Sequence, residues 1–109
     1  MNFQEYAKQA GASASYPNTG TLDGMNYCIL GLTGEAGEIA NKFKKIIRGD
    51  KTLETTREDL IDEAGDVLWY LSRLAEHLGT TLEEVGRRNV QKLDSRRERG
   101  VIKGSGDNR

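Results

Sequence analysis

With one cysteine, one proline and only 6% aromatic residues, this chain has few of the usual means of fixing a small fold. A lone thiol, Cys28, cannot form an intramolecular disulfide, so no disulfide framework is expected. So little proline argues against a strand-rich sandwich broken by many turns. No apolar run approaches the roughly 20 residues of a membrane span, and the opening MNFQEYAKQA lacks the basic-then-apolar plan of a signal peptide. A soluble cytoplasmic protein is expected, with no membrane partner. An excess of charge of one sign is missing too: 16 Lys and Arg face 17 Asp and Glu, for a net charge of −1. No broad cationic surface is then left for a nucleic-acid backbone, and polynucleotide binding is not expected.

What the chain does have is charge, 30% of its residues, arranged with helical periodicity. At 109 residues it has room for one domain, 1–109, and a domain this small leaves much surface unburied, so a homodimer or homotetramer is expected. A short amphipathic stretch, Phe3 to Ala10, runs into the loop GASASYPNTG. From Leu22 the apolar positions Leu22, Met25, Ile29, Leu32, Ala36, Ile39, Phe43 and Ile46 follow a 3-4 spacing, the mark of a helix with a bundle seam, which Gly49 stops. The pairs Thr55/Glu58 and Thr56/Asp59 fit a capping box, and Leu60, Ala64, Val67, Leu71, Leu74 and Leu78 carry a third helix to Gly79. Thr80 and Thr81, followed by Glu83 and Glu84, open a fourth helix that Gly100 ends. The expected fold class is all-α, of four-helix-bundle type, assembled as an oligomer.

One short word is written twice, as Glu35-Ala36-Gly37-Glu38-Ile39 and as Glu63-Ala64-Gly65-Asp66-Val67. Each acid pair lies at the edge of its helix's apolar seam, so antiparallel packing across a short loop would aim both at one point. Acids three apart on an amphipathic helix are ordinarily a solvated face. Against that, four carboxylates on two packed helices repel one another and call for a cation. Gly31, Gly34, Gly37 and Gly65 also crowd the helix interiors at roughly 1 kcal/mol each, as though something approached the backbone closely. No histidine or cysteine accompanies the acids, and all-oxygen ligation selects Mg²⁺, with Mn²⁺ as a substitute, over zinc. A di-iron centre is disfavoured, because Leu74 stands three places before the only histidine, His77, where such a centre expects Glu. His77 reads as a helix-end cation, Cys28 as a small packed residue, and Lys42, Lys44, Lys45 and Arg48 as a complement to a helix dipole with no assigned function.

E-x-x-E on the second helix and E-x-x-D on the third resemble the metal-binding signature of the MazG-like nucleotide pyrophosphohydrolases, and the resemblance covers most of the chain. It implies that Glu35, Glu38, Glu63 and Asp66 hold Mg²⁺ and are the catalytic set. It also implies that a nucleoside triphosphate, ribo or deoxyribo, is cleaved by water to the monophosphate and pyrophosphate, as in cleansing of the nucleotide pool. The family often has a further glutamate directly before the first acid; here that place is Gly34, which leaves water activation to the four remaining carboxylates. Asn89-Val90-Gln91-Lys92-Leu93-Asp94-Ser95-Arg96 is similar to the family's N-x-x-K-x-x-x-R stretch, which implies that Asn89, Lys92 and Arg96 reach the nucleotide. These three fall on one helical face, as cations serving a triphosphate would.

The glycine-rich ending is expected to fold back onto the protein or a neighbour, with Lys103 and Arg109 as further substrate-binding candidates. Tyr16, Trp69 and Tyr70 are possible stacking surfaces for a base, though core packing is the commoner use of such a Trp. The competing expectation is a non-catalytic module, in which the same helices oligomerise and the acids bind metal or nucleotide only as a signal.

Overall fold

The computed structural model describes all 109 residues and contains four helices and no strand: α1 (Phe3–Ala12), α2 (Leu22–Ile47), α3 (Leu53–His77) and α4 (Leu82–Glu98). Threonines start three of them. Thr21 accepts from the Gly24 amide at 3.2 Å and Thr81 from that of Glu84 at 3.1 Å, each satisfying one of the donors a helix start leaves free. The third helix begins earlier than the capping boxes at Thr55 and Thr56 predict. Thr52 is its cap, exchanging side-chain and backbone hydrogen bonds with Thr55, while Thr56 is buried one turn in. The stops fall where glycine foretold them: Gly49, Gly79 and Gly100 have φ of 90°, 70° and 71°, left-handed values that end a helix.

α2 and α3 form a long antiparallel hairpin, which carries most of the packing in the chain. α1 lies on α3, and α4 touches α1 and α3; neither packs against α2. The four helices therefore do not close into a bundle within one chain. Only ten residues are buried, the accessible surface is 7913 Å², and the radius of gyration is 16.7 Å. A compact monomer of this mass would expose about 6,000 Å² and have a radius of about 13 Å.

The face that α2 turns to α3 also differs from the expected seam. Of the apolar series, Met25, Leu32, Ile39 and Ile46 are half-buried, but Leu22 (79% exposed), Ile29 (42%), Ala36 and Phe43 (44%) face solvent. The buried line runs instead through Gly24, Cys28, Gly31, Glu35 and Lys42, each one residue before a position of the expected seam, a rotation of about 100°. Small residues make this possible. A side chain on Gly31 would collide with the ring of Tyr70, and one on Gly24 with the Asn18 carbonyl. Cys28, fully buried between these two glycines, is the packed residue the sequence indicated. Gly34, Gly37 and Gly65, by contrast, have no group of this chain close to them.

The two classes of glycine should separate on substitution. Gly31→Ala is expected to cost about 1–3 kcal/mol by overpacking against Tyr70, and Gly34→Ala to gain up to about 1 kcal/mol through helix propensity. Chemical denaturation of both variants checks this; equal effects would deny the Gly31–Tyr70 contact its place in the hairpin.

Candidate metal centre

The hairpin register is read from its contacts: Gly24 lies against His77 and, seven residues along α2 and seven back along α3, Gly31 lies against Tyr70. Four more steps put Glu35 opposite Asp66, and three more put Glu38 opposite Glu63. The repeated acidic word is thus one half of a symmetric pattern that the antiparallel register closes on itself. Because α2 is rotated, Glu35 stands in the interface and Glu38 at its edge. Carboxylate oxygens of Glu35, Glu63 and Asp66 come within 4.8 Å of one another, while Glu38 stays exposed outside this group and acts on Glu35 only through its charge.

The cluster is under electrostatic load. A hydrogen bond shared with Glu63 pushes the Glu35 carboxyl above the usual carboxylate range, helped by burial and by the charges of Asp66, Glu63 and Glu38. Glu63 moves the other way, below that range, chiefly because Lys42 hydrogen-bonds to it. Lys42 Nζ lies 2.8 Å from Glu63 Oε1, with both side chains largely covered. The other oxygen, Glu63 Oε2, is buried without a hydrogen-bond partner. An orphaned carboxylate oxygen beside two further carboxylates is a donor set suited to a hard divalent ion, so these residues fit a bound metal. Two phenols flank the acids: Tyr70, one turn beyond Asp66, and Tyr6 of α1. Burial raises the pKa of both, and nearby carboxylates, Glu35 for Tyr70 and Asp66 for Tyr6, raise it further.

Residues 25–101 match the sequence model of the MazG nucleotide pyrophosphohydrolase domain. The chain belongs to this MazG family. It is also 48% identical over 114 residues to the Gene 37 protein of Mycobacterium phage L5, covering 100% of each chain. No solved structure shows a significant match. Within this MazG domain both halves of the acidic signature lie on the helices that the family assignment spans.

The α4 candidates lie apart from the acids. Asn89 is exposed, and α4 makes no contact with α2. Lys92 and Arg96 are engaged by the chain's own ending: Asp107 Oδ1 accepts from Lys92 Nζ at 3.2 Å and from Arg96 Nη2 at 3.3 Å. Arg109 donates to the carbonyls of Val101, Ile102 and Gly106, which closes the glycine-rich ending into a loop on α4; Lys103 is exposed. The expected fold-back therefore occurs on the chain's own helix, and its agents are Arg96 and Arg109.

The aromatic candidates share one cluster. Tyr16 stacks on Tyr27 at 5.4 Å and meets Trp69 edge-on at 6.1 Å, while Trp69 meets Tyr70 edge-on at 5.0 Å. His77, foreseen as a helix-end cation, is hydrogen-bonded to Tyr16 Oη at 2.7 Å and so helps fasten the α1–α2 loop to α3. A pocket of about 290 Å³ where α1 meets the α3–α4 junction contains none of the four acids. The sequence reading missed Lys42 and Tyr6. Lys42 was legible as the residue seven beyond Glu35 on the same helical line; Tyr6 reaches the site only through the docking of α1, for which no local signal exists.

The opposed shifts of Glu35 and Glu63 give a signed expectation without metal. Glu35 has a raised folded-state pKa, so it favours the fold when protonated and ceases to do so as pH rises through that value. Glu35→Gln should therefore melt at a higher temperature than wild type near neutral pH, the gap shrinking as pH falls below the ordinary carboxylate range. Glu63→Gln, which loses the Lys42 pair, should melt lower at neutral pH. Thermal melts across pH in chelator check both signs, and a gap for Glu35→Gln that widens in acid would contradict the shared-proton geometry.

Proposed function

We propose that the chain is a Mg²⁺-dependent nucleoside triphosphate pyrophosphohydrolase, releasing nucleoside monophosphate and pyrophosphate. The observation that carries this reading is the convergence of carboxylate oxygens of Glu35, Glu63 and Asp66 within 4.8 Å, in a MazG domain where Glu63 Oε2 is buried without a partner. Glu35, Glu63 and Asp66, with Glu38 at the rim, would hold the metal. Bound there, a hard divalent ion offsets phosphate charge and lowers the pKa of water.

In the proposed step a water oxygen bonds to the α phosphorus, the bond from that phosphorus to the α–β bridging oxygen breaks, and its electron pair leaves with pyrophosphate. A carboxylate takes the water's proton. Gly34 stands where the family often has an additional acid, so this falls to one of the four carboxylates. Tyr70, one turn beyond Asp66 and next to Tyr27, offers an aromatic surface for a base.

We also infer that the working form is a homo-oligomer, a dimer or a tetramer. The surface in excess of a compact monomer, about 1,900 Å², is more than one partner's share of a standard interface, about 800 Å². The stripe Leu22, Ile29, Ala36 and Phe43 supplies an apolar seam for it. Since α4 does not touch α2, its cations would meet a substrate in the acidic groove only from a second copy.

Incubation with Mg²⁺ and a panel of ordinary and modified triphosphates in ¹⁸O-water tests the reaction. The label should enter the nucleoside monophosphate, and Glu63→Gln should lower the rate at least 100-fold, on the order expected when a group made essential by the transition state is lost. Label in orthophosphate, or turnover by the variant within threefold of wild type, would sink the reading. Binding of triphosphate without any turnover would favour a sensing module instead.

The role of α4 has its own measurement. Lys92→Ala should weaken triphosphate binding more than monophosphate binding, and Asp107→Asn should strengthen it by freeing Lys92 and Arg96. Calorimetry showing equal effects on both ligands would leave these cations as anchors of the terminal loop alone.

A further inference from the structure

From Lys42 we infer a residue that acts directly on the substrate of the preceding reading, on which this inference rests: its ammonium receives the departing pyrophosphate end of the triphosphate. Three observations lead there. Lys42 Nζ sits 2.8 Å from Glu63 Oε1, on the opposite side of that carboxylate from the unpartnered Oε2, so the cation and a metal use different oxygens. An ammonium has three donors, and only the one to Glu63 has a protein partner, while the side chain remains 30% exposed. Two donors are thus free at the rim of the acidic groove. Lys42 is also the cation that acts on Glu63, and it lies in line with Glu35, two turns along the same helical face.

A polyphosphate brings several negative charges toward a site already lined with carboxylates. Metal and basic groups must intervene, and leaving-group charge grows as the bridging bond breaks. Within one chain the α4 cations cannot supply that charge, since Asp107 holds them and α4 is out of contact with α2. Lys42 can, because a flexible four-carbon stem lets the ammonium turn from Glu63 toward an incoming oxygen without moving either helix. The sequence places it among four basic residues at the end of α2, but Lys44, Lys45 and Arg48 are all exposed and none pairs with the acids.

The test uses the full-length protein and the variants Lys42→Met, Lys42→Gln and Lys42→Arg, with thermal melts to establish folding of each. Mn²⁺ alone, then pyrophosphate and a nucleoside monophosphate in the presence of Mn²⁺, are titrated by calorimetry. Both uncharged variants should keep Mn²⁺ affinity within about threefold, lose about tenfold or more in pyrophosphate affinity and hold monophosphate affinity nearly unchanged. Lys42→Arg should restore most of the pyrophosphate affinity, and kcat for triphosphate should follow the same order. Pyrophosphate binding within twofold of wild type in the uncharged variants would overturn the inference. Loss of Mn²⁺ binding or of folding in both would overturn it as well, by making Lys42 a prop for Glu63. Wild-type protein that binds Mn²⁺ and pyrophosphate but cleaves no triphosphate would instead refute the pyrophosphohydrolase reading while leaving the Lys42 contact standing.

Discussion

The seating of Tyr70 against Gly31 fixes the register and rotation of the α2–α3 hairpin, and the remaining features follow from it. An aromatic ring can lie that close to a helix axis only where the facing residue has no side chain. Once it does, the neighbours one turn either way, Cys28 and Glu35, are drawn into the interface, and Lys42 follows two turns on. The same rotation turns Leu22, Ile29 and Phe43 outward. One packing contact thereby brings carboxylates together on one side of α2 and leaves an apolar stripe uncovered on the other.

This explains which parts of the molecule could be read from its sequence. Helix number, the glycine stops and the pairing of two acidic words were legible, because each rests on local chemistry: left-handed φ at Gly49, Gly79 and Gly100, and identical spacing on two successive helices. The rotation of α2 was not. Periodicity weighs side chains by hydrophobicity, so Gly24 and Gly31 count for little, although they form the groove that receives His77 and Tyr70. The seam was therefore centred on the larger apolar residues, which face outward. Close approach within the chain occurs at Gly31 and not at Gly34, Gly37 or Gly65, a difference that spacing alone does not reveal. Nor could local pattern reveal that Asp107, eleven residues beyond Arg96, returns to occupy Lys92 and Arg96.

The acidic groove has a cost to the fold, and the structure meets it unevenly. Three carboxylates within 4.8 Å in a half-buried groove repel one another more strongly than on an open surface, because less water screens them. Two devices relieve this: a proton or hydrogen bond shared between Glu35 and Glu63, and the Lys42 ammonium on Glu63 Oε1. Lys42 leaves Glu63 Oε2 buried and without a donor of its own. A buried acceptor left without a partner costs on the order of 1–3 kcal/mol, so this interface works against the stability of the fold.

That residual strain bears on the choice between a structural bundle and a binding site. A helical module whose purpose is assembly gains nothing from an unsatisfied carboxylate at its tightest interface, and replacing these acids with apolar residues of similar volume would strengthen it. The helices also stop short of covering one another: α4 makes no contact with α2, and its cations Lys92 and Arg96 pair with Asp107 instead of the acids. Lys42 is the exception, a cation already in the groove and already oriented by Glu63.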